Sequence, residues 1–227
     1  MTTAGFQRAR SPEAKHARES AILQAARTLA ARDGIRSVTL TDIADETGLH
    51  KSAMLRYFET REEIFLRLTA DGWREWTPAL CERIAGAPKD GDAAAAAAAV
   101  AAAFASTLAA RGAFCDLLAQ APLNLERNVS LDAVRTFKLT TRECLDRIVD
   151  AVRAVLPALT ARDGVDLVAT ATSLAGTFWQ IATPSQEVAE LYRSDPRMSH
   201  ALIDVEPRLE RILTALLAGQ SAERRAR

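Results

Sequence analysis

Cysteine is scarce: Cys81, Cys115 and Cys144 are widely spaced and form no CxxC pair. That excludes a disulfide framework or a zinc knuckle and suits reduced thiols. Aromatic residues make up only 5% of the 227 residues, and β-branched runs alternating with polar residues do not occur, so a β-sheet core has little to be built from. Long hydrophobic runs are missing too. The longest uncharged apolar stretch, Ala93 to Ala105, is mostly alanine and too short to span a bilayer. The first thirty residues carry Arg8, Arg10, Lys15 and Arg18 with no apolar segment behind them, so no secretory signal is expected and the chain should stay in the cytoplasm. Net charge is absent: 29 Lys+Arg balance 29 Asp+Glu. GxSxG, HExxH, GxGxxG and Walker A motifs are all lacking, and His16, His50 and His200 are too scattered to ligate a metal. Catalysis is therefore disfavoured, and no cofactor or metal is expected.

What is present is alanine, leucine, arginine and glutamate, and the chain reads as all-α. A first helix, roughly Pro12 to Arg32, lines up Ile22, Ala26 and Leu29 with Leu23 and Ala30 and ends at Asp33-Gly34. A short helix follows, with Thr39 or Thr41 as N-cap, Ile43 and Ala44 inward, and Gly48 as its stop. A second short helix, from His50 to Phe58, turns Met54, Leu55 and Phe58 to one side. Thr60-Arg-Glu-Glu63 then opens a longer helix through Trp73 and Trp76, with Pro78 as a kink or a break. The stretch from Gly86 to Asp92 reads as a linker, and further helices are expected near 93–111, 113–120, 124–156, 163–182 and 206–218. The expected division is an N-terminal unit over 1–62 with a basic arm, a helical unit over 63–219, and a flexible tail over 220–227.

Two short helices joined by a glycine turn describe a helix-turn-helix. The second helix enters a major groove only if its leading residues are slim or hydrogen-bonding and its rear face is apolar. His50, Lys51, Ser52 and Ala53 meet the first condition; Met54, Leu55 and Phe58 meet the second. Charge points the same way, since Arg8, Arg10, Lys15, Arg18 and Arg27 face only Glu13 and Glu19 within the first 27 residues.

The stretch from Val38 to Phe65 resembles the DNA-binding signature of the TetR family of bacterial transcriptional regulators. The resemblance covers about residues 18–70 and rests on Ile43-Ala44, Gly48, Tyr57-Phe58 and the Thr-Arg-Glu-Glu run at 60–63. It implies an all-α homodimer with an N-terminal three-helix DNA-binding unit and a helical C-terminal domain that dimerises and holds an inducer. It further implies that Thr39 and Thr41 cap the first helix and touch phosphate. His50, Lys51, Ser52 and Ala53 fall where bases are read, and Tyr57 and Arg61 match phosphate-contacting positions. Where the family commonly has a tyrosine this chain has Leu55, so that contact is missing or falls to Arg56 or Tyr57.

The expected function is a ligand-responsive regulator, a repressor that binds a palindromic double-stranded operator as a homodimer and is released by a small, mostly apolar effector. The alternative keeps DNA binding but replaces the effector with a protein or redox signal, or makes the protein an activator. The effector pocket is expected from Phe104, Leu108, Phe114, Leu118, Phe137, Thr140, Thr141, Cys144, Thr177 and Trp179, which combine large apolar groups with a few hydroxyls. The dimer interface is expected from one stripe of Leu167, Ala171, Leu174, Phe178 and Ile181 and another of Leu209, Ile212, Leu213, Leu216 and Leu217. The competing arrangement packs both stripes inside one subunit.

Overall fold

The computed structural model describes residues 12–88 and 92–225; the expected basic arm at Arg8 and Arg10 lies outside the described residues. The ordered elements are α1 (Pro12–Asp33), α2 (Leu40–Glu46), α3 (Lys51–Met54), α4 (Arg61–Ala85), α5 (Ala93–Ala109), α6 (Gly112–Gln120), α7 (Leu131–Val155), α8 (Ala161–Ala182), α9 (Gln186–Ser194) and α10 (Val205–Arg225), with 3-10 turns at Leu125–Arg127 and Pro196–Ala201. No strand occurs among the described residues, and no single helix among them is long and apolar enough to cross a membrane.

Helices α1 to α3 close over Ile22, Ala26, Leu29, Ile43, Met54 and Phe58, and α4 seals this cluster from below with Ile64, Phe65 and Leu68. Gly34 at φ 79° and Gly48 at φ 64° turn the chain after α1 and α2, in the left-handed region that side chains other than glycine rarely adopt. Both positions agree with the sequence reading.

Beyond α4 the bundle is organised around α5. Its run of alanines lets neighbouring helices approach closely, and α10 lies along it while α4 and α8 flank it. Rings fill the adjoining space: Trp76 stacks edge-on against Trp73 with centroids 5.4 Å apart and against Phe104 at 5.9 Å, and Phe114 meets Trp73 at 5.9 Å. The Trp76 indole N–H donates to Thr107 Oγ1 at 2.9 Å, so its one polar atom is satisfied.

Several elements differ from expectation. Pro78 neither breaks nor ends α4, which continues to Ala85. The helix expected over 124–156 is a 3-10 turn followed by α7, because the Ser130 hydroxyl accepts from the Ala133 N–H and starts a fresh helix. Helix α9 was not anticipated. Helix α10 runs on to Arg225, so most of the expected tail is helical.

Candidate nucleic-acid interface

Helix α2 begins at a reciprocal cap. The Asp42 N–H donates to Thr39 Oγ1 at 3.2 Å, and the Thr39 N–H donates to the Asp42 carboxylate at 2.7 Å. The Thr39 N–H and the Thr39 hydroxyl both donate to the charged carboxylate and hold Asp42 below its ordinary pKa. Of the two candidate caps, therefore, Thr39 is the one used, and Thr41 is exposed in the first turn. The Thr47 hydroxyl folds back onto the Ile43 carbonyl at 2.9 Å, Gly48 turns the chain, and the Leu49 N–H returns to the Ala44 carbonyl at 2.9 Å.

The chain then presents His50, Lys51 and Ser52 to solvent and leaves Ala53 half-buried. Helix α3 is a single turn, shorter than the expected His50–Phe58, and is anchored by Met54 (fully buried) and Phe58. Leu55, expected on the rear face, is 48% exposed instead and stands beside Arg56, also exposed. Neither Lys51 nor Arg56 has an ion-pair partner among the described residues, so both ammonium and guanidinium are free to meet phosphate or base edges. Tyr57 is half-buried beside them.

Arg61 is arranged differently from what the resemblance implied. Its guanidinium donates to the Val38 and Ile35 carbonyls, pairs with Glu62 at 3.1 Å and stacks over Phe65 at 4.7 Å. Those donors are committed to tying α4 to the turn before α2, which makes Arg61 a strut of the unit. Below it, the Thr60 hydroxyl accepts from the Glu63 N–H at 3.1 Å and donates to the Asn128 carbonyl at 3.1 Å, joining the helix-turn-helix to the segment before α7. The Glu63 carboxylate accepts from the Glu59 N–H at 2.6 Å, yet burial leaves its pKa above the ordinary carboxylate value.

The residues expected to line an effector pocket do not converge on one cavity. Phe104, Leu108, Phe114 and Cys144 are buried in the packed core, Leu118 and Thr141 are half-buried, and Thr177 is exposed on α8. Trp179 lies across Gly112, where an added methyl would come within 2.1 Å of the indole. Phe137 and Thr140 border a cleft of about 300 Å³ between α4 and the start of α7. A second cleft, about 320 Å³, opens where α1, α4 and α6 meet, and of the expected residues only Phe114 reaches it. Its rim carries Arg27, Glu75, Arg111 and Asp116, none of which stood out in the sequence. No group of three or more His, Cys, Asp or Glu among the described residues could hold a metal ion.

The dimer stripes divide in the same way. Leu167, Ala171, Leu209, Leu213 and Leu217 are fully buried within the chain, and Phe178 nearly so, because α8 and α10 turn those faces toward α5 and toward each other. Leu174, Ile212 and Leu216 are half-buried, and Ile181 is 40% exposed. Outward-facing instead are Val165, Ala169, Ser173 and Thr177, with Ile181, on α8, and Ala215, Gly219 and Ala222 on α10.

Residues 22–68 match the family described as "Bacterial regulatory proteins, tetR family", and residues 70–224 match the "Tetracyclin repressor-like, C-terminal domain" family. A 63-residue stretch is 35% identical to the HTH-type transcriptional regulator YfiR of Bacillus subtilis, covering 28% of this chain and about a third (31%) of that protein's length. Among solved structures, the fatty acid degradation regulator FadR of Bacillus halodurans superposes with a TM-score of 0.54 at 14% identity, covering 88% of this chain and 98% of its own. A tetR-family regulatory protein from Rhodococcus RHA1 gives 0.55 at 15% (88% and 95%), and FadR of Bacillus subtilis, solved with stearoyl-CoA, gives 0.53 at 16% (89% and 97%). At such identities these likenesses establish the fold. The C-terminal match alone spans more than half of the chain, and with the helix-turn-helix it makes this protein a member of the TetR family, a DNA-binding transcriptional regulator.

Proposed function

We propose that the protein is a homodimeric repressor whose two recognition turns read a palindromic operator and whose grip is released by a small effector. The observation that carries the reading is the projection of His50, Lys51, Ser52 and Arg56 from a turn locked behind by Met54 and Phe58. In this reading the unit over 1–62 binds DNA, with Thr39, Thr41 and Tyr57 at phosphates beside it, and the helices from 63 onward regulate and dimerise. One recognition turn covers only a few base pairs, so useful genomic specificity needs two.

Dimerisation is assigned to the outward stripe of α8, an uncharged run at every fourth residue from Val165 to Ile181, with the small residues of α10 beside it. Such faces allow four helices to pack closely about a twofold axis. A structural neighbour solved with stearoyl-CoA supports small-molecule control in kind. A thiol-based signal is disfavoured, because Cys115 and Cys144 are buried, and burial raises the thiol pKa of the half-buried Cys81 and pushes that of Cys115 up to about 12. Light scattering at micromolar concentration, followed by footprinting on DNA selected by the protein, tests the reading. A monomer that stays monomeric on DNA overturns it, and Ser173→Arg is expected to split the dimer while preserving helix content.

A further inference from the structure

We propose that the effector site is the cleft where α1, α4 and α6 meet, and that its guest is a ring-sized apolar molecule carrying one acidic group. The proposal rests on the reading of an effector-controlled regulator and names the place and chemistry of control. The cleft, about 320 Å³, falls at the small end of the range for small-molecule sites. Its floor is apolar: Ala30 and Ile35 come from the DNA-binding unit, Phe65 and Leu68 from the first turns of α4, and Phe114 and Leu117 from α6. The packed rings of Trp73, Trp76 and Phe104 occupy the bundle interior beside it, so a guest here displaces no core side chain.

The rim supplies the polar selection. Arg27 on α1 meets Glu75 on α4 at 3.4 Å, both well exposed, so a guest carboxylate can take the place of Glu75 at little cost. Arg111 uses one guanidinium nitrogen on the Thr107 carbonyl at 2.8 Å and has no carboxylate within ion-pair distance among the described residues, which leaves donors for an anion. Asp116, the other acid in the lining, is already held by the Gln180 amide at 2.7 Å. An acidic group is thus drawn to the Arg111 side while the apolar body lies on Phe114 and Ala30.

Control follows from what the cleft joins. One wall is α1, which moves with the recognition turn, and the other is α6, which is fixed to the bundle by Gly112 against Trp179 and by Gly176 against the Ala119 backbone. A guest touching both walls binds according to their separation, and therefore favours one orientation of the DNA-binding unit over another.

The test uses the full-length protein and two dyes of the same shape, 1-anilinonaphthalene-8-sulfonate and its uncharged relative N-phenyl-1-naphthylamine, followed by energy transfer from tryptophan. The expected result is one sulfonate dye per chain, bound at least tenfold tighter than the neutral dye. Ala113→Trp, which fills the mouth from an exposed position, should weaken the sulfonate dye at least tenfold. Arg111→Gln should bring it down to the affinity of the neutral dye. Unchanged sulfonate binding in Arg111→Gln, or in an Ala113→Trp protein with an unaltered melting curve, overturns the site. On selected DNA, the sulfonate dye should lower operator affinity in the wild type and not in Ala113→Trp; an equal effect in both overturns the regulatory role. Failure of the wild type to bind any DNA would sink the functional reading, while the dye titrations still decide the site.

Discussion

Gly176 of α8 lies against the backbone of Ala119 of α6 so closely that a methyl group built on it would stand 3.0 Å from the Ala119 nitrogen and 3.2 Å from the Cys115 carbonyl oxygen. Neither atom can rotate away as a side chain could. Gly176→Ala is therefore expected to destabilise by about 1–3 kcal/mol, the usual range for overpacking. Urea unfolding of the variant checks this, and an unchanged midpoint would contradict the packing.

Lys51→Ala should cost about 1–3 kcal/mol on the selected operator and much less on random DNA, as expected of a contact to a base edge. Arg56→Ala should weaken both alike and reduce the salt slope by about one, as expected of a phosphate contact. Fluorescence anisotropy over a range of salt concentrations separates the two behaviours. Normal protection in footprints with Lys51, Ser52 and Arg56 all replaced would remove this face from the interface.

Arg61→Ala strips donors from the Val38 and Ile35 carbonyls, both in the turn that carries α2. The expected loss is about 1–3 kcal/mol of stability. Operator affinity should fall only as the melting temperature is approached, with a salt slope like that of the wild type. A lower salt slope well below the melting temperature would return Arg61 to the phosphate-contacting group.

Burial holds the Cys115 thiol protonated up to about pH 12, against an ordinary value of 9.0. The unfolded chain loses that proton first, so stability is fully present below pH 9 and declines as pH rises between the two values, by at most about 1.4 kcal/mol per pH unit. Cys115→Ala should flatten the alkaline limb of the stability profile. In the folded wild type at pH 8, Cys115 should not react with Ellman's reagent.

The turns were legible because their chemistry is local. Asp33-Gly34, Gly48 and the Thr60 cap each depend on residues within a few positions, and each stands where the sequence places it. The facing of α8 and α10 was not, since an apolar stripe shows that a helix buries a face without showing against what. Here the alanine-rich α5 takes up Leu209, Leu213 and Leu217, and the outward face of α8 is the unremarkable series Val165, Ala169, Ser173 and Thr177. Helix α9 was hidden because its Val188, Leu191 and Tyr192 make too short a pattern between Pro184 and Pro196. Arg61 sat in a matching position of the family signature, and only the fold shows two carbonyls waiting for it. The α1–α4–α6 cleft draws on residues from 27 to 117, which no sequence window joins.

Helix α4 starts under the recognition turn at Arg61 and reaches the ring cluster at Trp76 without interruption. That distance is about 22 Å at 1.5 Å per residue. Treated as a lever pivoting on the rings, a tilt of only about 5° carries its upper end about 2 Å sideways. In the proposed dimer, two protomers tilting in opposite senses would change the span between their recognition turns by about 4 Å, more than the roughly 3.4 Å rise of one base pair. In the proposed mode of control, release from DNA would therefore require no unfolding and no hinge: a displacement smaller than a single side chain, applied beside α6, would be enough to put the two turns out of step with the grooves.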